Sequence, residues 1–215
     1  MHKVKSAKVI FTSTSFSITD LDHGAWKTAE PIAVGKYWSG ETAPTGRHFE
    51  VRMLWSYAHL YVRFDAKQAE PLLVSEEPEL HSKTLGLWDR DVVEIFIAPD
   101  RNEPGKYYEF EAAPNGEWVD LAIDLRAGER LTDAEYRSEM ETASRISQGS
   151  IVISMKISWT ALGRRPEVGD VWLGNLLRCV GCDPGRGYLT WSPTLTEAPN
   201  FHVPEHFGEF VFVKD

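Results

Sequence analysis

Phe49-Glu50-Val51-Arg52-Met53-Leu54-Trp55, then Ser56-Tyr57-Ala58-His59, then Leu60-Tyr61-Val62-Arg63-Phe64 is the stretch on which the fold turns. Phe49, Val51, Met53 and Trp55 recur at every second position with Glu50 and Arg52 between them, and Leu60, Val62 and Phe64 begin a second run of the same period. Strand side chains alternate between two faces, so each run predicts a half-buried strand and residues 56–59 the turn of a hairpin. Further strands are predicted at residues 92–98, 107–113, 118–124, 151–157, 171–180, 188–191 and 209–213. Pro114-Asn115-Gly116 supplies a tight turn between the strands at 107–113 and 118–124, because Asn and Gly tolerate positive φ. Residues 133–141 have no apolar stripe and read as polar loop or extended segment, and residues 158–163 as a single helical turn ended by Gly163. Many short strands without strand–helix alternation predict an all-β fold, a two-sheet antiparallel β-sandwich. No repeat, low-complexity tract or linker divides the chain, so residues 1–215 read as a single domain.

Composition fits that reading. Hydrophobic residues make up 42% of the 215 and charged residues 26%, enough apolar material for a core. No run approaches the roughly 18 apolar residues of a membrane-spanning helix. The formal charge is −9 with no basic cluster, which disfavours nucleic acid and suits a neutral or cationic ligand. Residues 1–8 are basic but precede no apolar segment and do not read as a secretory signal, which makes the cytoplasm the default location. Cys179 and Cys182 are the whole thiol inventory. They are too few for a structural zinc site and lack the βαβ context of a redox pair, so they read as ordinary strand or loop thiols. His202 and His206 have Pro204 between them, which opposes the helix a histidine metal pair would need.

Eight Trp, seven Tyr and ten Phe make the chain rich in aromatics. Trp55, Trp159 and Trp172 lie in or beside apolar strands and read as core. Trp88, in the polar run 81–91, and Phe201, in the proline-punctuated loop 198–204, do not. A sugar ring offers a face of C–H bonds that a flat aromatic can cover and an equator of hydroxyls that carboxylates, amides and guanidinium groups can bond. Two ring-bearing loops can therefore sandwich one pyranose, or both rings can plug the end of the sandwich. Asp89, Asp91 and Glu94 cluster, with Glu109 and Glu111 on the next strand. Glu94 shares a face with Val92 and Phe96, and a carboxylate among apolar neighbours costs free energy unless it is bonded. Sugar hydroxyls, acid–base hydrolysis of a glycosidic bond, or pairing with Arg63 or Arg178 would each account for it. Asp65, Asp89, Asp120 and Asp124 are available to calcium, but no EF-hand spacing specifies a site.

Residues 87–97, Leu-Trp-Asp-Arg-Asp-Val-Val-Glu-Ile-Phe-Ile, resemble the signature strand of family 9 carbohydrate-binding modules. Residues 18–26, the hairpin around Trp55 and Leu60, residues 159–163, 174–176 and 191–193, and the segment 201–208 fall in that family's order, so the resemblance runs over residues 17–213. It implies a β-sandwich module, working outside the cell, that clamps an end sugar of a plant-type oligo- or polysaccharide between two aromatic rings and often carries structural calcium. On this resemblance Trp88 matches the first clamp ring, and Phe201 falls where the second, usually Trp, is expected. Glu94 and Glu111 are implied as carboxylate contacts, and Asn175 and Arg178 as further polar contacts to the sugar. No catalytic residue and no required cofactor is implied. The reading is therefore non-catalytic binding of a mono- or oligosaccharide. The alternatives are an interaction scaffold that has lost the sugar and a small glycoside-acting enzyme using Asp91 and Glu94.

Overall fold

The computed structural model describes residues 4–126 and 129–214, so the first three residues of the basic stretch 1–8 lie outside it. Among the described residues thirteen strands follow in order: β1 Ser6–Phe11, β2 Ile32–Val34, β3 Phe49–Trp55, β4 His59–Lys67, β5 Val92–Ala98, β6 Lys106–Ala112, β7 Trp118–Arg126, β8 Glu129–Asp133, β9 Glu141–Ser147, β10 Ser150–Ser158, β11 Val171–Val180, β12 Gly187–Thr190 and β13 Gly208–Val213. Short 3-10 turns are the only helices among the described residues, and none is long or apolar enough to cross a membrane.

The predicted hairpin is present: β3 and β4 pair antiparallel with Met53 opposite Val62 and Trp55 opposite Leu60. Phe49, Val51, Met53 and Trp55 enter the main core beside Leu60, Val62, Phe64 and the alternate residues of β10. Val93, Ile95 and Ile97 of β5, Phe110 of β6 and Trp172 and Leu176 of β11 meet them from the other side of that core.

The all-β class holds, whereas the all-antiparallel, two-sheet pairing does not. The strands form one hydrogen-bonded path, β8-β7-β6-β5-β11-β13-β1-β3-β4-β10-β9, with β12 on β11 and β2 on β3. It curls over its own core. The strand that joins the two halves is β1, which pairs parallel with β13 on one edge and parallel with β3 on the other. Since β1 brings donors and acceptors to both neighbours, the sheet has no break where two sheets would separate.

The strands β5, β6, β7 and β11 are covered on both faces, and β5 is buried along its entire length. Their second face forms another apolar layer from Val92, Phe96, Tyr107, Val119, Leu121, Leu177 and Cys179, roofed by Leu87, Phe201 and Phe207. Gly174 in β11 permits the tight approach of neighbouring strands, because a Cβ there would stand 2.2 Å from the Phe96 carbonyl oxygen and 2.3 Å from the Phe210 ring. The segment 158–163 is a turn closed by Gly163 at φ 73°, as its sequence suggests.

Candidate functional site

Register places acidic side chains on this second face. Cross-strand rows run Leu177–Glu94–Glu111–Val119 and, one step along, Asn175–Phe96–Glu109–Leu121. Glu94, Glu109 and Glu111 thus stand together on two neighbouring strands, flanked by apolar residues, and all three are buried. Two loops build walls above them. Gly86, at φ 80°, opens a 3-10 turn over Leu87–Asp89; Leu87 is buried and anchors the turn, which throws the Trp88 indole outward. Arg186 staples this turn by donating to the carbonyls of Trp88 at 2.7 Å, Arg90 at 2.6 Å and Gly181 at 2.7 Å. Its guanidinium also lies 5.5 Å over the Tyr188 ring.

The opposite wall is the 199–207 loop. His202 stacks on Phe96 with centroids 5.2 Å apart, and its Nδ1 lies 2.7 Å from the Tyr107 hydroxyl. Burial lowers the His202 pKa to about 3, so the ring is neutral at physiological pH. Phe207 packs edge-on against Tyr107.

Between the walls lies a hollow of about 290 Å³ lined by Trp88, Phe201, Glu94 and Glu109, with Asp89, Arg130 and Tyr188 at its sides. The rings play unequal parts: Trp88 is 40% exposed, whereas Phe201 is 8% exposed and meets Tyr188 edge to face at 6.2 Å. Trp88 is a free platform and Phe201 part of the wall. A larger groove of about 570 Å³ runs past Tyr107, Tyr108, Ile123 and Leu131, but its charged lining residues, such as Lys106 and Arg164, are surface groups that hold no buried polar atom toward it.

The floor is electrostatically unusual. Burial, reinforced by the charge of Glu109, raises the Glu94 pKa to about 8. Burial also raises Glu109, and it raises Glu111 well above the usual carboxylate range with help from Glu94 and Glu109. Glu94 Oε1 accepts from the Cys179 thiol at 3.3 Å. Neither cation considered from sequence is its partner. Arg63 pairs with Asp65 at 2.6 Å, and Arg178 donates to the carbonyls of Arg47 at 2.8 Å and Lys67 at 2.6 Å, and to Gln68. A carboxyl that keeps its proton near neutrality can donate a hydrogen bond as well as accept one.

Of the residues proposed to touch sugar, Trp88, Phe201 and Glu94 share the hollow, and Glu111 sits beneath it next to Glu94. Asn175 and Arg178 do not line it. Asn175 faces the same side, but its carboxamide is taken by Ser192, whose N–H and carbonyl it bonds at 2.9 Å each, and by the Leu176 N–H. Arg178, one residue out of phase, points into the main core face beside Val93. Asp91 is likewise outside the hollow, so the pair Asp91 and Glu94 is not assembled for hydrolysis. Its carboxylate accepts from the N–H of Gly181 at 2.7 Å and of Leu73 at 3.3 Å and from Gln68 at 3.2 Å. The four aspartates considered for calcium are dispersed: Asp65 pairs with Arg63, Asp120 with Lys83 and Asp124 with Arg126, while Asp89 borders the hollow. Cys179 is buried on β11 and Cys182 exposed in a loop, both as free thiols. Tyr188, Arg130 and His202 went unrecognised as site residues in the sequence. Of these only His202, inside the Phe201 loop, carried a signal.

A family model described as carbohydrate family 9 binding domain-like matches residues 20–215. Endo-1,4-beta-xylanase A of Thermotoga neapolitana is 24% identical over 196 residues, an alignment covering 88% of this chain but 16% of that enzyme. A Bacteroides uniformis crystal structure superposes with a TM-score of 0.73 at 19% identity, covering 98% of this chain and 100% of that one. A family 9 carbohydrate-binding module of Caldicellulosiruptor kristjanssonii in complex with glucose gives a TM-score of 0.69 at 16% identity, covering 98% and 97%. At these identities the structural likeness is one of fold.

Proposed function

Because this chain belongs to the carbohydrate family 9 binding domain-like family, we propose that it is a non-catalytic binder that seats an end sugar of an oligo- or polysaccharide in the hollow beside Trp88. The observation that carries the reading is an indole 40% exposed at the mouth of a hollow whose floor is made of buried carboxyls. The Trp88 face covers the C–H surface of the sugar, while Phe201 and Tyr188 close the other side and complete the clamp. Glu94 and Glu109 reach hydroxyls at the floor, and Asp89 and Arg130 those at the rim. With Asp91 sealed by its own donors, the hollow lacks the second carboxylate of the proposed hydrolytic pair. The volume of about 290 Å³ falls just below the usual range of ligand pockets, roughly 300–1,000 Å³, and suits one terminal residue rather than a long chain. The glucose and cellotriose complexes of the Caldicellulosiruptor modules agree in ligand class.

Calorimetric titration with glucose, xylose and their oligomers tests this. Saturable binding is expected, weakened at least about tenfold, or 1.4 kcal/mol, in Trp88→Ala. Absence of saturation with every sugar, or unchanged affinity in Trp88→Ala, contradicts it.

A further inference from the structure

We propose that Glu94, Glu109 and Glu111 form a binding site for a hard divalent cation at the floor of the hollow. The pairing of β5 with β6 sets Glu94 opposite Glu111, and Glu109 opposite Phe96, so the three side chains leave the sheet on one face. One oxygen from each lies within 4.8 Å of the others. Two ligands of one ion with cation–oxygen bonds of about 2.4 Å stand at most about 4.8 Å apart, so each pair is within reach of a shared ion and a small rotation of the side chains brings all three to it.

Glu111 points to an occupant on separate grounds. It is fully buried, and apart from the neighbouring Glu109 carboxyl no hydrogen-bonding group meets either of its oxygens. Oε2 of Glu109 is also buried, with no donor from outside the three carboxyls. Among the described residues no Lys or Arg pairs with any of the three, although fifteen other ion pairs are formed. A buried carboxylate without a counter-ion is costly, and three together compound the cost through mutual repulsion. A bound cation relieves both.

The donors are hard oxygens, which selects calcium, magnesium or manganese over softer metals. Cys179, the one sulfur nearby, is spent as a donor to Glu94, and burial holds its thiol protonated. A bare ion fits better than the ammonium group of a cationic ligand, because Glu94 and Glu109 line the hollow but Glu111 lies below it. With about six to eight oxygens needed by calcium, positions remain on the open side for water or a ligand's oxygens. The site does not depend on the sugar reading.

The test titrates chelator-treated, dialysed protein calorimetrically at pH 8.5 with calcium, magnesium or manganese chloride alone, with thermal unfolding followed in parallel. Saturation at one ion per chain and a raised unfolding midpoint are expected for at least one of the three. In Glu111→Gln the affinity falls at least about tenfold and the midpoint shift is lost, whereas Glu135→Gln, an exposed control, leaves both unchanged. Should Glu111→Gln fail to fold, Glu109→Gln supplies the same readout. No saturable binding of any of the three ions overturns the proposal, as does binding that both Glu variants leave intact. Binding of glucosamine hydrochloride where no metal binds overturns it equally, in favour of an ammonium ligand.

Discussion

Glu94 keeps its proton where most glutamates have lost theirs, and that makes the stability of the chain depend on pH in a specific direction. In the unfolded chain the carboxyl titrates near 4.5; in the folded chain burial and Glu109 hold it to about 8. Between these values the folded state binds more protons than the unfolded one, so the unfolding free energy falls as pH rises. Burial and the charge of Glu109 drive this shift, while the hydrogen bond from Cys179 and the charge of Arg186 oppose it. In metal-free buffer, Glu94→Gln should therefore gain stability over the parent progressively from pH 5 to pH 8. Urea denaturation at each pH checks this, and a constant difference would contradict it. Arg178 is the converse case. Its guanidinium satisfies the carbonyls of Arg47 and Lys67 and the carboxamide of Gln68 inside the protein. Arg178→Ala leaves these acceptors bare and should cost roughly 3 kcal/mol or more in urea denaturation. The fraction that stays folded should bind sugar as the parent does. At this scale the sequence made Trp88 and Glu94 legible, because an aromatic in a polar run and a carboxylate in an apolar strand both break a local rule. It could not reveal that Asn175 is consumed by Ser192, since that depends on a contact across 17 residues.

The elements divide by whether alternation is written into them. β3, β4 and β10 each bury chiefly one face, and their period-two patterns placed them correctly. β8 and β9 were not recognised as strands. Every residue of β8 is exposed, and β9 holds only intermediate and exposed positions, so neither carries a hydrophobic signal. Both are held by backbone pairing to β7 and β10. β11 is the element most constrained by its neighbours, lying between β5 and β13. At Gly174 even a methyl group would meet the Phe96 carbonyl and the Phe210 ring, so Gly174→Ala should destabilise by about 2–4 kcal/mol. The loss should appear as a lowered urea midpoint. A change below about 0.5 kcal/mol would mean that the strands can part without cost.

For the whole molecule, the all-β class and the family followed from the sequence, while the connectivity did not. Ser6–Phe11 is short and mixes Lys8 with apolar residues, yet as β1 it joins β13 to β3 in parallel and turns two expected sheets into one curled sheet. That choice is made by pairing between chain ends, which leaves no mark in local periodicity. The curl leaves one face of β5, β6 and β11 beneath the loops carrying Trp88 and Phe201, and so produces the hollow. The most direct test of the account is a crystal structure of the protein soaked with glucose or cellotriose. The account predicts an end sugar against the Trp88 indole with hydroxyls reaching Glu94. Sugar seated elsewhere, for instance in the Tyr108–Leu131 groove, with the Trp88 hollow left empty, would contradict it.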